Sequence, residues 1–133
     1  MPPSLTGVRA LIIEDEQTSI DVLQNLLDQL NVDSSVIYGG LDVGEHVRRI
    51  ARPDVIFLDL EMPGFNGYEV LGMIRAYAEF DGVPVVAYTT HLSHMNDARR
   101  AGFDGFLGKP LDRSAFADNL IRILNGESVW EAS

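Results

Sequence analysis

The chain has 133 residues, 46% apolar and 23% charged, with 20 acidic against 10 basic side chains, a formal charge of −10 and no cysteine. That length and balance fit one globular domain with a core of its own. The missing cysteine excludes disulfides, thiol catalysis and thiolate metal sites, and the acidic excess argues against direct binding to nucleic acid, which needs clustered Lys and Arg; cations, or partners with a basic face, suit it better.

Residues 1–7 have neither the basic start nor the apolar core of a secretory signal and read as a disordered lead. No apolar run approaches the ~20 residues of a membrane helix, so a soluble cytoplasmic protein without membrane contact is expected. Residues 8–13 read as a first buried strand, ending in Glu14-Asp15-Glu16. From Gln17, Ile20, Leu23, Leu27 and Leu30 form one stripe, with Leu26 beside it, at the period of an amphipathic helix. Residues 34–38 read as a short strand closed by Gly39-Gly40. A second helix is expected from Asp42 to Ala51, with Val43, Val47 and Ile50 inward and Pro53 stopping it.

Four apolar residues, Val55 to Leu58, then run straight into Asp59, as in a strand buried on both faces. Met62-Pro63-Gly64-Phe65-Asn66-Gly67 is turn chemistry. A helix from Tyr68 to Ala78 follows, with Val70, Leu71 and Ile74 inward, and Asp81-Gly82 is a turn. Residues 83–88 read as a fourth strand with Thr89 and Thr90 at its carboxyl end. A short helix over 93–101 stops at Gly102. Residues 103–107 form a fifth strand, followed by Gly108-Lys109-Pro110. The last helix runs from Asp112 to Leu124 with Phe116, Leu120, Ile123 and Leu124 inward. Residues 8–125 then make one domain and residues 126–133 a tail, in which Trp130 reads as frayed.

Strands alternating with helices imply an α/β fold with a parallel sheet and helices on both faces. Every strand end that leads into a helix then lies on one edge, where open α/β sheets bind ligands. Those ends carry Glu14, Asp15, Asp59, Thr89, Thr90 and Lys109. Clustered carboxylates without His or Cys suit a hard divalent cation, most simply Mg²⁺, with Mn²⁺ as a substitute. Lys109 supplies a positive charge for a phosphate and a Thr hydroxyl a hydrogen bond. Asp59 is then the candidate nucleophile, accepting a phosphoryl group as an acyl phosphate. Each residue also has a plainer reading: Glu14 and Asp15 as helix-start acids, Thr89 as a strand-end residue, Lys109 as exposed, Phe106 as core. His91 and His94 read as solvated surface histidines.

The acidic pair Glu14-Asp15, Asp59 followed by Met62-Pro63-Gly64 and Gly67, Thr89, and Phe106-Leu107-Gly108-Lys109-Pro110 stand in order at the spacings of a known family. The chain resembles a receiver domain of the two-component response regulators over about residues 8–125. The resemblance implies a flavodoxin-like (βα)5 doubly wound three-layer sandwich with five strands in the order 2-1-3-4-5. It implies that Asp59 is the phosphoacceptor, charged by a histidine kinase or a histidine phosphotransfer protein, in a signalling switch that is not a turnover enzyme. It further implies Mg²⁺ held by Asp15, Asp59, the Glu61 backbone carbonyl and, through water, Glu14. Lys109 would contact the phosphoryl group, with its bond to Pro110 cis. Thr89 and Phe106 would be the switch pair, and the fourth helix, fifth strand and fifth helix the face offered to a downstream protein. The oligomeric expectation is a monomer or a phosphorylation-dependent dimer.

The pattern departs from the family at Thr90, where a small residue is usual; Glu61 and His91 stand at positions that vary in the family and tune lifetime, and Gly108 leaves the loop before Lys109 without a bulky flank. Other readings are a domain excised from a larger kinase or regulator, and a receiver-like module that is never phosphorylated. A flavin-binding protein of similar fold is disfavoured, because Glu14-Asp15-Glu16 would repel the flavin phosphate. An aspartyl phosphatase is disfavoured by Glu61, where those enzymes have a second Asp.

Overall fold

The computed structural model describes residues 4–39, 43–62, 64 and 66–131. The expected residues 1–3, the helix start at Asp42, and Pro63 and Phe65 of the turn lie outside the described residues, as do the side chains of Val43 and Val47. The strands are β1 (Arg9–Ile13), β2 (Asp33–Ile37), β3 (Val55–Asp59), β4 (Val85–Thr89), β5 (Gly105–Gly108) and β6 (Val129–Glu131). The helices are α1 (Gln17–Gln29), α2 (Val43–Val47), α3 (Gly67–Arg75), α4 (Met95–Ala101) and α5 (Phe116–Leu124), with 3₁₀ turns at Ala78–Phe80 and Leu92–His94.

All strand pairs are parallel, in the order β2-β1-β3-β4-β5-β6. The expected five-stranded sheet is therefore corrected to six. The sixth strand comes from the segment around Trp130, which is not frayed: Val129 is buried and Trp130 pairs with Phe106. Local sequence hides this strand, because three residues carry no readable period. Its pairing is supplied by the exposed edge of β5, which needs a partner.

Alternation along the strands sorts the core into two layers. Leu11, Ile13, Ile56, Leu58, Val85, Ala87 and Phe106 pack with Val70, Leu71 and Ile74 of α3 and Ala98 of α4. Ala10, Ile12, Val55, Phe57, Val86 and Tyr88 pack with Ile20, Leu23 and Leu27 of α1 and Phe116, Leu120 and Ile123 of α5. The central strands β3 and β4 are buried at every residue, as their unbroken apolar runs predict. Strand β4 starts after Pro84, which has no N–H to donate, although its carbonyl accepts from Ile56 N at 2.9 Å. Near the amino terminus, the Leu5 amide donates to the Leu30 carbonyl at 2.7 Å.

The loop after β3 is held from its far end. Asn66 caps α3, its side chain accepting from Tyr68 N at 2.8 Å. Gly67 lets the helix start close to the strand end: a Cβ there would lie 2.8 Å from Leu60 Cδ2, 3.0 Å from Leu60 Cα and 3.2 Å from the Asp59 carbonyl oxygen. Two of those neighbours are backbone and cannot swing aside. Gly67→Ala is accordingly expected to destabilise the fold by about 1–3 kcal/mol, the range for overpacking. Urea denaturation measures this, and an unchanged midpoint would refute it.

Candidate functional site

The parallel register lines up the carboxyl ends of four strands. Ile13 pairs with Leu58, Asp59 with Tyr88, and Thr89 with Gly108. Glu14 follows β1 directly and Lys109 follows β5, whose Lys109 amide donates to the Thr89 carbonyl at 2.9 Å. Sheet pairing alone thus gathers residues almost a hundred positions apart. The Lys109–Pro110 peptide is cis.

Glu14, Asp59 and Thr89 are buried, at 0%, 3% and 0% exposed, whereas Asp15 is exposed. Carboxylate oxygens of Glu14, Asp15 and Asp59 all lie within 4.8 Å of one another. The Lys109 ammonium stands against this cluster, donating to Glu14 Oε1 at 3.1 Å and lying 3.7 Å from Asp59 Oδ1. It also donates to Ser19 Oγ at 3.2 Å and sits 4.4 Å from the Tyr88 ring centroid. Asp59 Oδ1 accepts from the Glu61 amide at 3.0 Å.

One acidic oxygen is left over: among the described residues, Glu14 Oε2 is buried without a hydrogen-bond partner. Burial above all, and then Asp59 beside it, push the Glu14 carboxyl up to about 8, against the opposing pull of Lys109. An oxygen-only donor set with an orphaned carboxylate oxygen is what a hard divalent cation satisfies. The residues present therefore fit such an ion.

Glu61 is used differently on its two ends. Its carboxylate turns away from the acidic cluster and accepts hydrogen bonds from the Thr89 and Thr90 hydroxyls and the His91 amide, the Thr90 contacts at 3.2 Å to each oxygen. His91 Nε2 lies 3.3 Å from the same carboxylate. Burial alone would raise the Glu61 carboxyl, but the hydroxyls of Thr89 and Thr90, with His91, hold it below its usual range. Thr89 Oγ1 in turn accepts from the His91 amide at 3.1 Å. Phe106 is wholly buried among the core residues, between Ala87 and Trp130 in the sheet.

Each residue expected at the sheet edge is brought there, and Asp59, Glu14, Asp15 and Lys109 form one cluster. Thr89 lies beside it, bound to Glu61. Tyr88 and Ser19 were missed from sequence, and both touch Lys109. The signal for Tyr88 was its register position opposite Asp59, visible only once the strands are paired. Its hydroxyl is buried and has no hydrogen-bond partner among the described residues, and burial first, then Glu14 and Asp59, drive its pKa far upward. His91 is exposed at the rim, and His94 accepts or donates at 3.5 Å with the Tyr68 hydroxyl. A cleft of about 290 Å³ opens beside Lys109, lined by Ser19, Tyr88, Thr90 and Pro110 among others.

The folded chain holds the Glu14 proton more tightly than an unfolded chain does, so it binds more protons between the ordinary carboxylate value of 4.5 and about 8. This contribution to stability is fullest below that window and is lost as pH rises through it. In cation-free buffer, stability is expected to fall more steeply from about pH 5 to about pH 8 in the wild type than in Glu14→Gln. Urea titrations at both pH values check this; parallel curves would refute it.

The chain matches the family described as the response regulator receiver domain over residues 10–121. It is 28% identical to the protein PilH of Pseudomonas aeruginosa over 120 residues, covering 89% of this chain and 98% of that one. It is 30% identical to the peroxide stress-activated histidine kinase mak1 of Schizosaccharomyces pombe over 90% of its own length, but spans only 8% of that kinase. Among solved structures it resembles the receiver domain of a Pseudomonas aeruginosa sensor histidine kinase that has a magnesium ion coordinated in its active-site cleft. The TM-score is 0.75 and the identity 27%, covering 90% of this chain and 96% of that one. The first relative found, an uncharacterised 76.5 kDa protein of Thiocystis violacea, is likewise matched over only 16% of its length.

Proposed function

This chain belongs to the response regulator receiver domains of two-component signalling, and we propose that Asp59 is its phosphoacceptor, charged by a histidine kinase or a histidine phosphotransfer protein. The observation that carries this reading is the Lys109 ammonium held between Asp59 and Glu14 at the sheet edge. In the transfer, an Asp59 carboxylate oxygen attacks the phosphorus of a phosphohistidine. The P–N bond breaks, the imidazole leaves with the bonding pair and takes up a proton, and an acyl phosphate forms on Asp59. Lys109 offsets charge on the phosphoryl oxygens, and the Glu61 amide fixes the attacking carboxylate at 3.0 Å.

Mg²⁺ is the proposed cofactor, held by Asp15, Asp59 and the Glu61 carbonyl, with Glu14 acting through water; Mn²⁺ would substitute. Bound there, it supplies positive charge to the phosphoryl oxygens and removes the mutual repulsion of the carboxylates. Thr89 is the switch hydroxyl and Phe106 its aromatic partner. Because Thr89 has one proton, it must leave Glu61 before it can donate to a phosphoryl oxygen. Phosphorylation thereby biases a two-state element comprising α4, β5 and α5, which a downstream protein reads.

With Mg²⁺ and acetyl phosphate, the wild type is expected to take up a single phosphoryl group, read by intact-protein mass spectrometry. Asp59→Asn takes up none, and Lys109→Ala is slowed by about 10²–10³, the effect of removing one charge-stabilising donor. A wild type that stays unmodified would overturn the phosphoacceptor assignment and leave an interaction module. Separately, the Thr90 hydroxyl stands exposed at the mouth of the site. Thr90→Ala opens the approach of water and is expected to shorten the lifetime of phospho-Asp59. Equal decay rates in the two proteins would sink that expectation.

A further inference from the structure

Lys109 is the only lysine in the chain, and among the described residues its ammonium is the one basic group ion-paired to the acidic cluster. At rest it donates to Glu14 Oε1 at 3.1 Å and to Ser19 Oγ at 3.2 Å. Ser19 Oγ donates in turn to Glu16 Oε1 at 3.1 Å. Asp59 Oδ1, at 3.7 Å, is too far for a hydrogen bond. Neither resting hydrogen bond therefore holds the ammonium on the proposed phosphoacceptor.

A further contact is of a different kind. The ammonium lies 4.4 Å from the centroid of the Tyr88 ring. The Lys109 side chain is mostly buried and Tyr88 is 1% exposed, so the attraction of cation and ring face acts away from water, where it is strongest. Register places the ring there: Tyr88 pairs with Asp59 across β3 and β4, and partners in a parallel pair face the same side of the sheet. The ring is also fixed from behind. Phe57 stands at 84° to it with centroids 6.4 Å apart, and Phe57 is itself stacked on Phe116 of α5 at 6.2 Å. The Tyr88 hydroxyl has no hydrogen-bond partner among the described residues. What Tyr88 offers the site is its face.

Hydrogen bonds are directional and are lost as a donor turns away. Attraction to a ring face is spread over that face and persists out to about 6 Å from the centroid. We propose that Tyr88 is a positioning residue for phosphoryl transfer: its ring holds the Lys109 ammonium beside Asp59 while the hydrogen-bond partners of that ammonium change from Glu14 and Ser19 to phosphoryl oxygens. The hydroxyl has no part in this. The proposal deepens the reading of Asp59 as phosphoacceptor and rests on it for its kinetics, whereas the hold on Lys109 exists without phosphorylation.

The test uses the full chain. With a single lysine, isotopic labelling of lysine gives one ε-methylene signal in the NMR spectrum, that of Lys109. The ring current of Tyr88 is expected to move it upfield of free lysine in the wild type and in Tyr88→Phe, but not in Tyr88→Leu. With Mg²⁺ and acetyl phosphate, Tyr88→Phe is expected to be phosphorylated at the wild-type rate. Tyr88→Leu is slower by about 2- to 30-fold, the strength of a cation–ring contact converted to a rate. In a Lys109→Ala background, Tyr88→Leu has no further effect, because the ring then has nothing to hold. Should Tyr88→Leu misfold, phenylalanine and pentafluorophenylalanine at position 88 keep one shape and reverse the charge of the ring face; the fluorinated protein is expected to be the slower. Equal rates for those two forms, or a slowing by Tyr88→Leu that persists in full without Lys109, make Tyr88 a packing residue and overturn the proposal. So does an ε-methylene signal that stays put between wild type and Tyr88→Leu. Tyr88→Phe as slow as Tyr88→Leu overturns it as well, by moving the effect to the hydroxyl. If the wild type takes up no phosphoryl group, the phosphoacceptor reading has failed, and the resting signal alone decides whether Tyr88 holds Lys109.

Discussion

Everything at the sheet edge depends on one ammonium group facing two buried carboxylates. Lys109 touches Glu14 and lies near Asp59, and both acids are buried. Burying charge is costly unless it is paired. One cation against two acids leaves a deficit of positive charge, and Asp15 at the rim adds a third acid to the cluster. The chain can close that deficit in two ways: keep a proton on Glu14, or admit a cation. Burial and the neighbouring Asp59 carboxylate, which raise the affinity of Glu14 for its proton, are also what a bound divalent cation would offset. Ser19 and the face of Tyr88 complete the seat of Lys109, so its position is set by α1 and β4 as well as by β5.

Glu61 couples this cluster to the neighbouring strand end. Its amide holds Asp59, and its carboxylate gathers Thr89, Thr90 and His91. A single residue therefore grips the proposed acceptor with its backbone and the proposed switch hydroxyl with its side chain. The two grips oppose each other in function. The amide orients the proposed nucleophile, whereas the carboxylate competes for the proton that Thr89 would give to a phosphoryl oxygen. With an acid at this position Thr89 is already hydrogen-bonded, so the proposed switching step would break one hydrogen bond before forming another.

The sequence is most legible where burial is uniform. The unbroken apolar runs of β3 and β4, and the helical stripe of Ile20, Leu23 and Leu27, identify the central sheet and its cover without ambiguity. Strand ends read well too, because a polar residue after a buried run has only one edge to occupy. Side-chain direction was not legible. Glu61 was expected to act through its carbonyl, and nothing local says that its carboxylate reaches a segment about thirty residues on. Tyr88 reads as a core aromatic in a strand, and it becomes a neighbour of Lys109 only through cross-strand register. Helix ends were overextended where a second residue type intervened. The expected last helix began at Asp112, but Asp112 Oδ1 accepts from the Ser114 and Ala115 amides, holding a turn that delays α5 to Phe116.

Strand β6 is illegible in the sequence for a different reason: its existence is decided by its neighbour. Strand β5 has only four residues, so three residues of another strand suffice to pair most of its edge. Once in place, β6 joins the site to the far edge of the sheet through register alone. Thr89 pairs with Gly108, and Phe106, two residues earlier on β5, pairs with Trp130. Backbone pairing thus ties Thr89, the proposed switch hydroxyl, to β5 directly, without an intervening helix. Phe106 already fills the core in the resting fold, with Trp130 packed against that same core layer. Any movement of Phe106, the proposed aromatic switch, would therefore be made against Trp130, its partner across β5 and β6.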